Sequence, residues 1–146
     1  PVLVLGDEQR LAQVLVNLLS NAEKFSPNDG KITAGIHVTP RHVRVYVADE
    51  GPGIPPEHAD QLFEPFFRGD AAAAGIAGAG IGRALCRRII EAHGGRIGFE
   101  NVRPGARSWF ELPSLAAAQA EEADPEVSDT LKVSDTPSDC DALRVC

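Results

Sequence analysis

The most informative segment of this chain is Asn17-Leu18-Leu19-Ser20-Asn21-Ala22-Glu23-Lys24-Phe25. It belongs to an amphipathic pattern that predicts a helix from about residue 7 to residue 25, with Asp7 as its N-cap. Asparagine is a poor choice for a helix interior, because its side chain competes for backbone hydrogen bonds. At about 100° per residue, Asn17, Asn21 and Lys24 share one stripe of this helix. A separate apolar stripe is predicted to face a core, and its members are Leu11, Val14, Leu15, Leu18, Ala22 and Phe25.

The polar stripe suits a metal-bound nucleotide. Amide oxygens are suitable ligands for a hard divalent cation or its water molecules, and an ammonium group pairs with phosphate. The helix is therefore predicted to bury one side in a core and to present two amides and one ammonium group at a binding site.

Length and composition indicate one globular domain. A chain of 146 residues can build one substantial core, and 43% hydrophobic residues is ordinary for a soluble protein. No apolar run approaches the roughly 18 residues of a membrane span, and the first residues lack the basic start of a signal peptide. The chain begins with Pro1 rather than Met, so we expect a fragment or a processed piece. The three cysteines are too few and too scattered for a disulfide framework and have no zinc-binding spacing, which favours a reduced, cytoplasmic setting. We expect no membrane contact by this fragment, whether or not the parent protein is anchored.

Charge is distributed unevenly along the chain. Residues 1–113 carry 12 basic and 13 acidic side chains, whereas residues 114–146 carry 2 basic and 8 acidic ones. The nearly neutral first part does not favour nucleic acid as a partner. We therefore predict a folded domain over residues 1–113 and an acidic, disordered tail over residues 114–146, with a helical pattern only over residues 115–123.

Alternation, apolar runs and helix breakers predict the remaining elements. In chain order they are a buried strand (2–5), the long helix, two antiparallel hairpin strands (31–38 and 42–49), a short helix (57–64), a second long helix (81–92) and two closing strands (96–101 and 107–112). This order predicts an α/β (α+β) fold, a two-layer sandwich in which a mixed sheet packs on helices.

A strand that ends in a carboxylate is followed by the motif Asp49-x-Gly51-x-Gly53. A carboxylate there can accept a hydrogen bond from an exocyclic amine, which adenine offers and guanine does not offer at the same place. Glycines allow the backbone to turn tightly and to approach a flat ring. Aspartate and glycine are also the commonest residues of solvated turns, so the motif alone leaves both interpretations open.

A second glycine motif, Gly78-x-Gly80-x-Gly82, precedes the second long helix. Free backbone N–H groups and the positive end of the helix dipole can hold phosphate at such a position. No strand leads into the motif and no Lys-Ser/Thr pair follows it, so it is neither a dinucleotide fingerprint nor a Walker loop. Taken alone, it also fits a plain flexible linker.

The order of these features resembles the ATP-binding catalytic domain of sensor histidine kinases. It runs from the asparagine-bearing helix through the hairpin, the Asp-Gly-Gly turn and Phe63-Glu64-Pro65-Phe66-Phe67-Arg68 to the glycine loop and second helix. The domain is part of the wider superfamily of gyrase, heat-shock-ninety, histidine-kinase and MutL ATPases, and the resemblance covers residues 1 to about 113. It implies a Bergerat-type ATP-binding fold, an edge strand further upstream, and a bacterial two-component kinase that uses ATP and Mg²⁺.

The resemblance also implies roles for individual residues. Asn21, together with Asn17, would hold Mg²⁺ against the triphosphate, and Asp49 would accept from the adenine amine. The residues implied in catalysis are Asn17, Lys24 and Arg68, and Arg68 would reach the phosphates from a short lid that orders only with nucleotide bound. The full set implied to bind ATP is Asn21, Lys24, Phe25, Asp49, Gly51, Gly53, Ile54, Phe63, Arg68, Gly78, Ala79, Gly80, Ile81 and Gly82.

The hydrolytic branches of the superfamily have a glutamate where this chain has Asn17. A carboxylate there activates water as a general base, whereas an amide cannot take the proton. The resemblance therefore implies phosphoryl transfer to a histidine on a separate dimerisation domain of the parent kinase, which then passes the phosphate to a cognate response regulator. The histidines of this chain lack the context of a phosphoacceptor and are predicted to lie on the surface: His37, His42, His58 and His93.

Departures from the family pattern keep two alternatives open. Arg83 stands where leucine is usual, Ala79 stands where a small polar residue is common, and no hydroxyl residue directly follows Gly105. Arg83 is predicted to form a basic patch with Arg87 and Arg88, which is either solvated or docks a partner. The alternatives are a serine/threonine-directed kinase of the anti-sigma-factor type and a degenerate ATP-binding module that senses nucleotide or docks partners without transfer.

Overall fold

The computed structural model describes residues 2–69, 75 and 78–123, with side chains described as far as residue 120. Its elements are α1 (Glu8–Phe25), β1 (Thr33–Val38), β2 (His42–Ala48), a 3₁₀ helix (Pro56–Gln61), α2 (Gly82–Ala92), β3 (Arg96–Asn101), β4 (Ala106–Pro113) and α3 (Leu115–Ala123). The predicted order of elements is confirmed from the first long helix onward, and the short helix is of the 3₁₀ type.

Helix α1 begins and ends as its sequence predicts. The Asp7 side chain accepts a hydrogen bond from the backbone N–H of Arg10 at 3.1 Å and so caps the first turn. At the other end, Ser26 precedes a proline, which disfavours helical geometry, and its ψ angle is 144°. The apolar stripe faces the core through its buried members Val14, Leu18 and Ala22.

The four strands form one sheet in the order β1-β2-β4-β3. Every described strand pair is antiparallel, and Phe110 of β4 lies between Val45 of β2 and Ile97 of β3. The α+β class is confirmed, but the prediction of a mixed sheet is wrong for the described residues. Short connections join β1 to β2 and β3 to β4, whereas a parallel pair needs a long crossover.

Helices α1 and α2 lie on one face of the sheet and enclose the hydrophobic core. Inward side chains of β2 and β4 belong to the same cluster as the apolar faces of both helices. Cys86 of α2 is part of this core, and burial raises the pKa of its thiol to about 11, so the thiol is protonated at neutral pH. The most deeply buried members of the core include Val14, Val43, Val47, Cys86, Ile90 and Leu112.

A charged network on β4 joins three strands through their side chains. Glu111 accepts hydrogen bonds from Nε of Arg44 at 3.0 Å and from Nη2 of Arg96 at 2.7 Å. Burial of this carboxyl favours a raised pKa, but the two arginines outweigh that effect and hold the pKa of Glu111 below its ordinary value. The Arg44 guanidinium also lies 4.3 Å from the centroid of the Trp109 ring.

The prediction of a buried strand over residues 2–5 is wrong. These residues have no assigned strand structure, and the carbonyl of Leu3 accepts from the N–H of Leu115 at 2.7 Å. Their neighbour is therefore the start of α3, and a strand needs a neighbouring strand for its ladder. The apolar run is only partly buried, since Val4 belongs to the core while Leu5 is 73% exposed.

Residues just beyond the predicted end of the domain pack on the fold. The Ser114 hydroxyl donates to the carbonyl of Pro40 at 2.7 Å and accepts from the N–H of Ala117 at 3.1 Å, so it caps α3. Helix α3 matches the helical pattern of residues 115–123, and the predicted disorder of the later tail concerns residues outside the described part. None of the described helices has the length and apolar character needed to cross a membrane.

Candidate functional site

Two adjoining cavities open between α1, the start of α2 and the segment over residues 49–69. The larger has a volume of about 420 Å³ and mostly apolar walls, and the smaller, of about 240 Å³, lies against the glycine segment over residues 78–82. The side chains that border both are Asn21, Phe25, Phe67, Arg68 and Arg83. The cavities therefore form one continuous site with an apolar part and a polar part.

The polar stripe of α1 lines the smaller cavity through Asn17, Asn21 and Lys24. The Asn21 amide donates through Nδ2 to Oδ1 of Asn17 at 3.1 Å, which leaves Oδ1 of Asn21 as an acceptor for a ligand. A β-carbon at Gly82, the first residue of α2, would overlap the Asn17 amide. Glycine therefore lets the two helices approach closely at the amide pair.

The carboxylate of Asp49 is held in place by two neighbouring segments. Its Oδ1 accepts from the backbone N–H of Gly51 at 2.8 Å and, more weakly, from that of Ala106 at 3.4 Å. The N–H of Asp49 donates in turn to the carbonyl of Ala106 at 2.9 Å. Because Asp49 also lines the larger cavity, the strand end presents a carboxylate of fixed orientation to an apolar space.

Glycines around Asp49 have different roles. Gly53 lines the larger cavity, whereas Gly51 lines neither cavity. A β-carbon at Gly51 would lie 2.6 Å from the carbonyl oxygen of Phe25, so Gly51 lets the turn pack against the end of α1. A β-carbon at Gly105 would overlap the carbonyl of Asp49. Gly105 is therefore a supporting residue of the site that sequence reasoning did not include among the binding residues.

One amide side chain fastens the loop after this turn to β3. Oδ1 of Asn101 accepts from the N–H of Ile54, and Nδ2 of Asn101 donates to the Ile54 carbonyl, both at 2.8 Å. Ile54 and Phe63 line the larger cavity, and the Phe63 ring lies 6.5 Å from that of Phe99. Sequence reasoning missed Asn101, because its partner is 47 positions away along the chain.

The glycine segment is tied to the stretch Phe66-Phe67-Arg68. The N–H of Phe66 donates to the carbonyl of Gly80 at 2.9 Å, although the Phe66 side chain is 73% exposed. The whole predicted segment lines the smaller cavity, through Gly78, Ala79, Gly80, Ile81 and Gly82. Most of the predicted lid, between Arg68 and Gly78, lies outside the described residues.

Arg83 was predicted to lie in a basic surface patch, but the structure places its side chain at the site. Its half-buried side chain borders both cavities, and its Cζ lies 5.6 Å from the centroid of the Phe25 ring. Burial lowers the pKa of this guanidinium. Arg87 and Arg88 are exposed, and Arg87 pairs with Glu91 at 2.9 Å. Because helical side chains point toward the helix N-terminus, an arginine in the first turn extends past the helix into the site.

All residues predicted to bind or act, except Gly51, line at least one of the two cavities. His58, predicted to lie on the surface, lines the larger one and contacts the Phe67 ring edge-to-face at 5.2 Å. Phe67 could have been found from the sequence, because it is adjacent to the predicted Arg68. The small lining residues of β3 and β4 have no local sequence feature that marks them as binding residues. The lining residues that sequence reasoning did not assign to the site are Leu18, Ala22, Pro52, Pro55, Pro56, His58, Leu62, Phe67, Gly69, Arg83, Gly98, Ala106 and Ser108.

A divalent cation at this site would depend on amide oxygens and on oxygens of a ligand. Among the residues that the structure describes, no three His, Cys, Asp or Glu side chains are grouped to hold a metal ion. Mg²⁺ keeps several of its water molecules and shares phosphate oxygens, so it needs few protein ligands. The amides of Asn17 and Asn21 fit Mg²⁺ carried by a nucleotide better than a metal centre built from protein ligands alone.

Comparisons with known proteins agree with this geometry. The family model described as histidine kinase-, DNA gyrase B-, and HSP90-like ATPase matches residues 6–116. The adaptive-response sensory kinase SasA of Synechococcus sp. (strain CC9311) is 46% identical over 112 residues, which are 75% of this chain and 29% of that protein. The chain thus spans less than a third of the length of this curated relative.

Solved structures of histidine kinases share the fold. A mycobacterial sensor histidine kinase MprB superposes with a TM-score of 0.69 at 32% identity, covering 76% of each chain. The histidine kinase ThkA in complex with the response regulator TrrA gives a TM-score of 0.64 at 37% identity, covering 75% of this chain and 30% of that one.

Proposed function

Because this chain belongs to the family of histidine kinase-, DNA gyrase B- and HSP90-like ATPases, we propose that it binds Mg-ATP in the two adjoining cavities. It is a catalytic domain of the histidine-kinase type, and it donates the γ-phosphate to a histidine on a separate dimerisation domain of its parent kinase. The proposal depends most on one observation, that Asp49 lines the apolar cavity while the paired amides of Asn17 and Asn21 line the adjoining polar one.

The larger cavity takes the adenine. Oδ1 of Asp49 is engaged by backbone N–H groups, so Oδ2 is the oxygen that accepts from the exocyclic amine of the base. Ile54 and Phe63 supply apolar surface around the flat ring, and an apolar surround strengthens a hydrogen bond that water would otherwise weaken. A guanine base would place a carbonyl against the carboxylate and leave two acceptors facing each other.

The smaller cavity takes the phosphates. Lys24 and Arg68 supply positive charge along its wall, and the first N–H groups of α2 point from the helix N-terminus, where no side chain caps them. The amides of Asn21 and Asn17 would hold Mg²⁺ there, with Oδ1 of Asn21 as the free acceptor. The ion, when present, offsets the charge on the phosphate oxygens.

Neutral Asn17 favours transfer over hydrolysis. An amide cannot remove a proton from water, so no general base stands at this position to activate a hydrolytic attack. In the transfer, a ring nitrogen of the acceptor histidine forms a bond to the γ-phosphorus, and the bond between that phosphorus and the bridging oxygen breaks as ADP leaves. The domain contributes positioning and charge neutralisation, which are the main requirements of such a reaction.

Partners of the parent protein follow from this activity. The acceptor histidine belongs to the dimerisation domain, and the phosphate passes from it to a cognate response regulator in the cytoplasm. The likeness to a histidine kinase seen with its response regulator supports this sequence of transfers. Residues 1–113 form the catalytic domain of this proposal.

Labelled phosphate transfer tests the proposal. The purified chain is mixed with Mg²⁺, γ-labelled ATP and a histidine-bearing helical hairpin from a sensor histidine kinase, and the label on the hairpin is then treated with acid and with base. We expect label that acid removes and base does not, as for phosphohistidine. A hairpin whose histidine is replaced by glutamine provides the control.

Other outcomes separate the rival functions. Label that resists acid would indicate a serine or threonine acceptor, and nucleotide binding without any label would indicate a module that binds ATP without transfer. Absence of ATP binding by the folded chain would overturn the proposal as a whole.

A further inference from the structure

The Arg83 side chain occupies the boundary between the two cavities. Arg83 is the second residue of α2, it is half-buried, and it borders the apolar and the polar cavity alike. Its Cζ lies 5.6 Å from the centroid of the Phe25 ring, a distance at which a guanidinium is attracted to an aromatic face. The stacking holds the charged group at the boundary.

The Arg83 guanidinium combines partial burial with the lack of a counter-charge among the residues that the structure describes. Among the residues that the structure describes, no carboxylate lies within ion-pair distance of Arg83, whereas four other arginines each pair with a glutamate: Arg44, Arg87, Arg96 and Arg107. Partial burial of an unpaired charge is unfavourable. Arginine nevertheless keeps its charge at neutral pH, and burial lowers the pKa of Arg83 without supplying a partner. An anionic ligand would supply the missing counter-charge.

We propose that Arg83 binds the phosphates nearest the nucleoside, which ATP and ADP have in common. The inference rests on the proposed function, because it assumes a nucleotide with its base beside Asp49 and its terminal phosphate beside the glycine segment. A nucleotide placed in this way crosses the boundary at the link between ribose and phosphate chain. The fork of N–H donors on a guanidinium suits phosphate oxygens at that point.

A consequence for turnover follows from this position. A cation that contacts the proximal phosphates stabilises the ADP complex as much as the ATP complex, because neither contact requires the γ-phosphate. Arg83 therefore lengthens the residence of the product in the site and does not favour the triphosphate over the diphosphate.

Calorimetric titration of the whole chain with ATP, ADP and adenosine, each in the presence of Mg²⁺, tests the inference. Arg83→Leu keeps apolar contact with Phe25 and removes the charge, and Arg83→Gln retains a polar side chain if the leucine variant does not fold. We expect Arg83→Leu to weaken ATP and ADP binding by similar factors of roughly tenfold to a hundredfold, with adenosine binding unchanged. Arg83→Lys restores the charge without the planar fork and is expected to recover part of the affinity.

Arg88→Leu is the matched control, because Arg88 is an exposed arginine of the same helix. It should leave all three affinities within about twofold of the wild type. Raising the salt concentration should reduce the difference in ATP and ADP affinity between the wild type and Arg83→Leu, since screening weakens a charge–charge contact.

Three results would overturn the role of Arg83. They are unchanged ATP and ADP affinities in both Arg83→Leu and Arg83→Gln, an equal loss of adenosine binding, or an equal effect of Arg88→Leu. Each of these leaves the proposed function intact as long as the wild-type chain binds ATP. Failure of the wild-type chain to bind ATP would instead remove the proposed function and the role of Arg83 together.

Discussion

Nε2 of His93 accepts a hydrogen bond from the backbone N–H of Asp7 at 2.9 Å, across 86 positions of the sequence. Nδ1 of the same ring lies 2.7 Å from the carbonyl of Ile89, so Nδ1 carries the proton in this arrangement and Nε2 is left as the acceptor. The C-cap residue of α2 is thereby bonded to the N-cap residue of α1. His93 is half-buried and links the two helices that border the site, where the sequence had predicted a surface histidine.

Replacement of His93 by leucine should destabilise the fold. It removes the acceptor for the Asp7 N–H and the bond to Ile89, and we expect a loss of about 1–2 kcal/mol in the free energy of unfolding. Urea unfolding followed by circular dichroism measures the change. His37→Leu on the exposed edge strand is the control, with an expected change within about 0.5 kcal/mol; equal effects of the two substitutions would show that the bond across the helices contributes nothing.

Asp49→Asn should change base preference while the fold persists. The substitution keeps Oδ1 as an acceptor for Gly51, but it replaces the oxygen facing the base by an NH₂ group that cannot accept from adenine. We expect ATP affinity to fall by at least about tenfold, and the ratio of GTP to ATP affinity to rise. Competition titration with both nucleotides provides the measurement. An unaltered ATP affinity in the folded variant would remove the assigned role of Asp49.

Asn21→Ala should weaken Mg-ATP binding through loss of the amide oxygen. The variant also loses the bond to Asn17, so the remaining amide is free to turn. The expected loss is roughly tenfold or more when Mg²⁺ is present and smaller when a chelator has removed it. Gln13→Ala, an exposed residue of the same helix, should behave as the wild type. A loss that is the same with and without Mg²⁺ would argue against an ion at Asn21.

Glu111→Gln should remove a pH-dependent part of the stability. The folded state holds the pKa of Glu111 below its ordinary value, so the charged carboxylate stabilises the fold above the unfolded-state pKa, and that contribution disappears as the pH falls through the lower folded-state pKa. We expect Glu111→Gln to cost about 1–2 kcal/mol at neutral pH. The difference in the free energy of unfolding between the variant and the wild type, measured with urea, should shrink as the pH falls below about 4.5, the ordinary pKa of a glutamate. A difference that stays constant down to pH 3 would contradict the assigned pKa direction.

Gly105→Ala should disturb Asp49 in addition to straining the backbone. Gly105 has a φ of 90°, and its β-carbon would overlap the Asp49 carbonyl, whereas Gly94 has a φ of 71° and its β-carbon would make only an ordinary contact with Cγ of Pro113 at 3.9 Å. Gly94→Ala therefore measures the backbone strain alone, at about 1 kcal/mol. Gly105→Ala should cost about 2–4 kcal/mol and also weaken ATP binding. Equal costs, with ATP affinity retained in both variants, would show that the turn relaxes without moving Asp49.

About half of the residues that line the candidate site could be predicted, because they stand in short motifs. The stripe of Asn17, Asn21 and Lys24 follows from helical periodicity, and the glycine segment follows from composition next to a helix start. Gly51 shows the limit of such reasoning, because a motif glycine can serve the packing of its own turn and not line the cavity. Only contact with the carbonyl of Phe25 distinguishes the two roles.

Local patterning was sufficient to identify the helices, the four strands of the sheet and about half of the residues that line the cavities, since periodicity, caps and breakers act over a few neighbouring residues. Packing in three dimensions was required for the antiparallel order of the sheet, the absence of a strand over residues 2–5 and the placement of Arg83 beside Phe25. It was also required for the bonds from Asn101 to Ile54 and from Asp7 to His93. These features depend on distances between residues far apart in the chain, which no short stretch of sequence encodes.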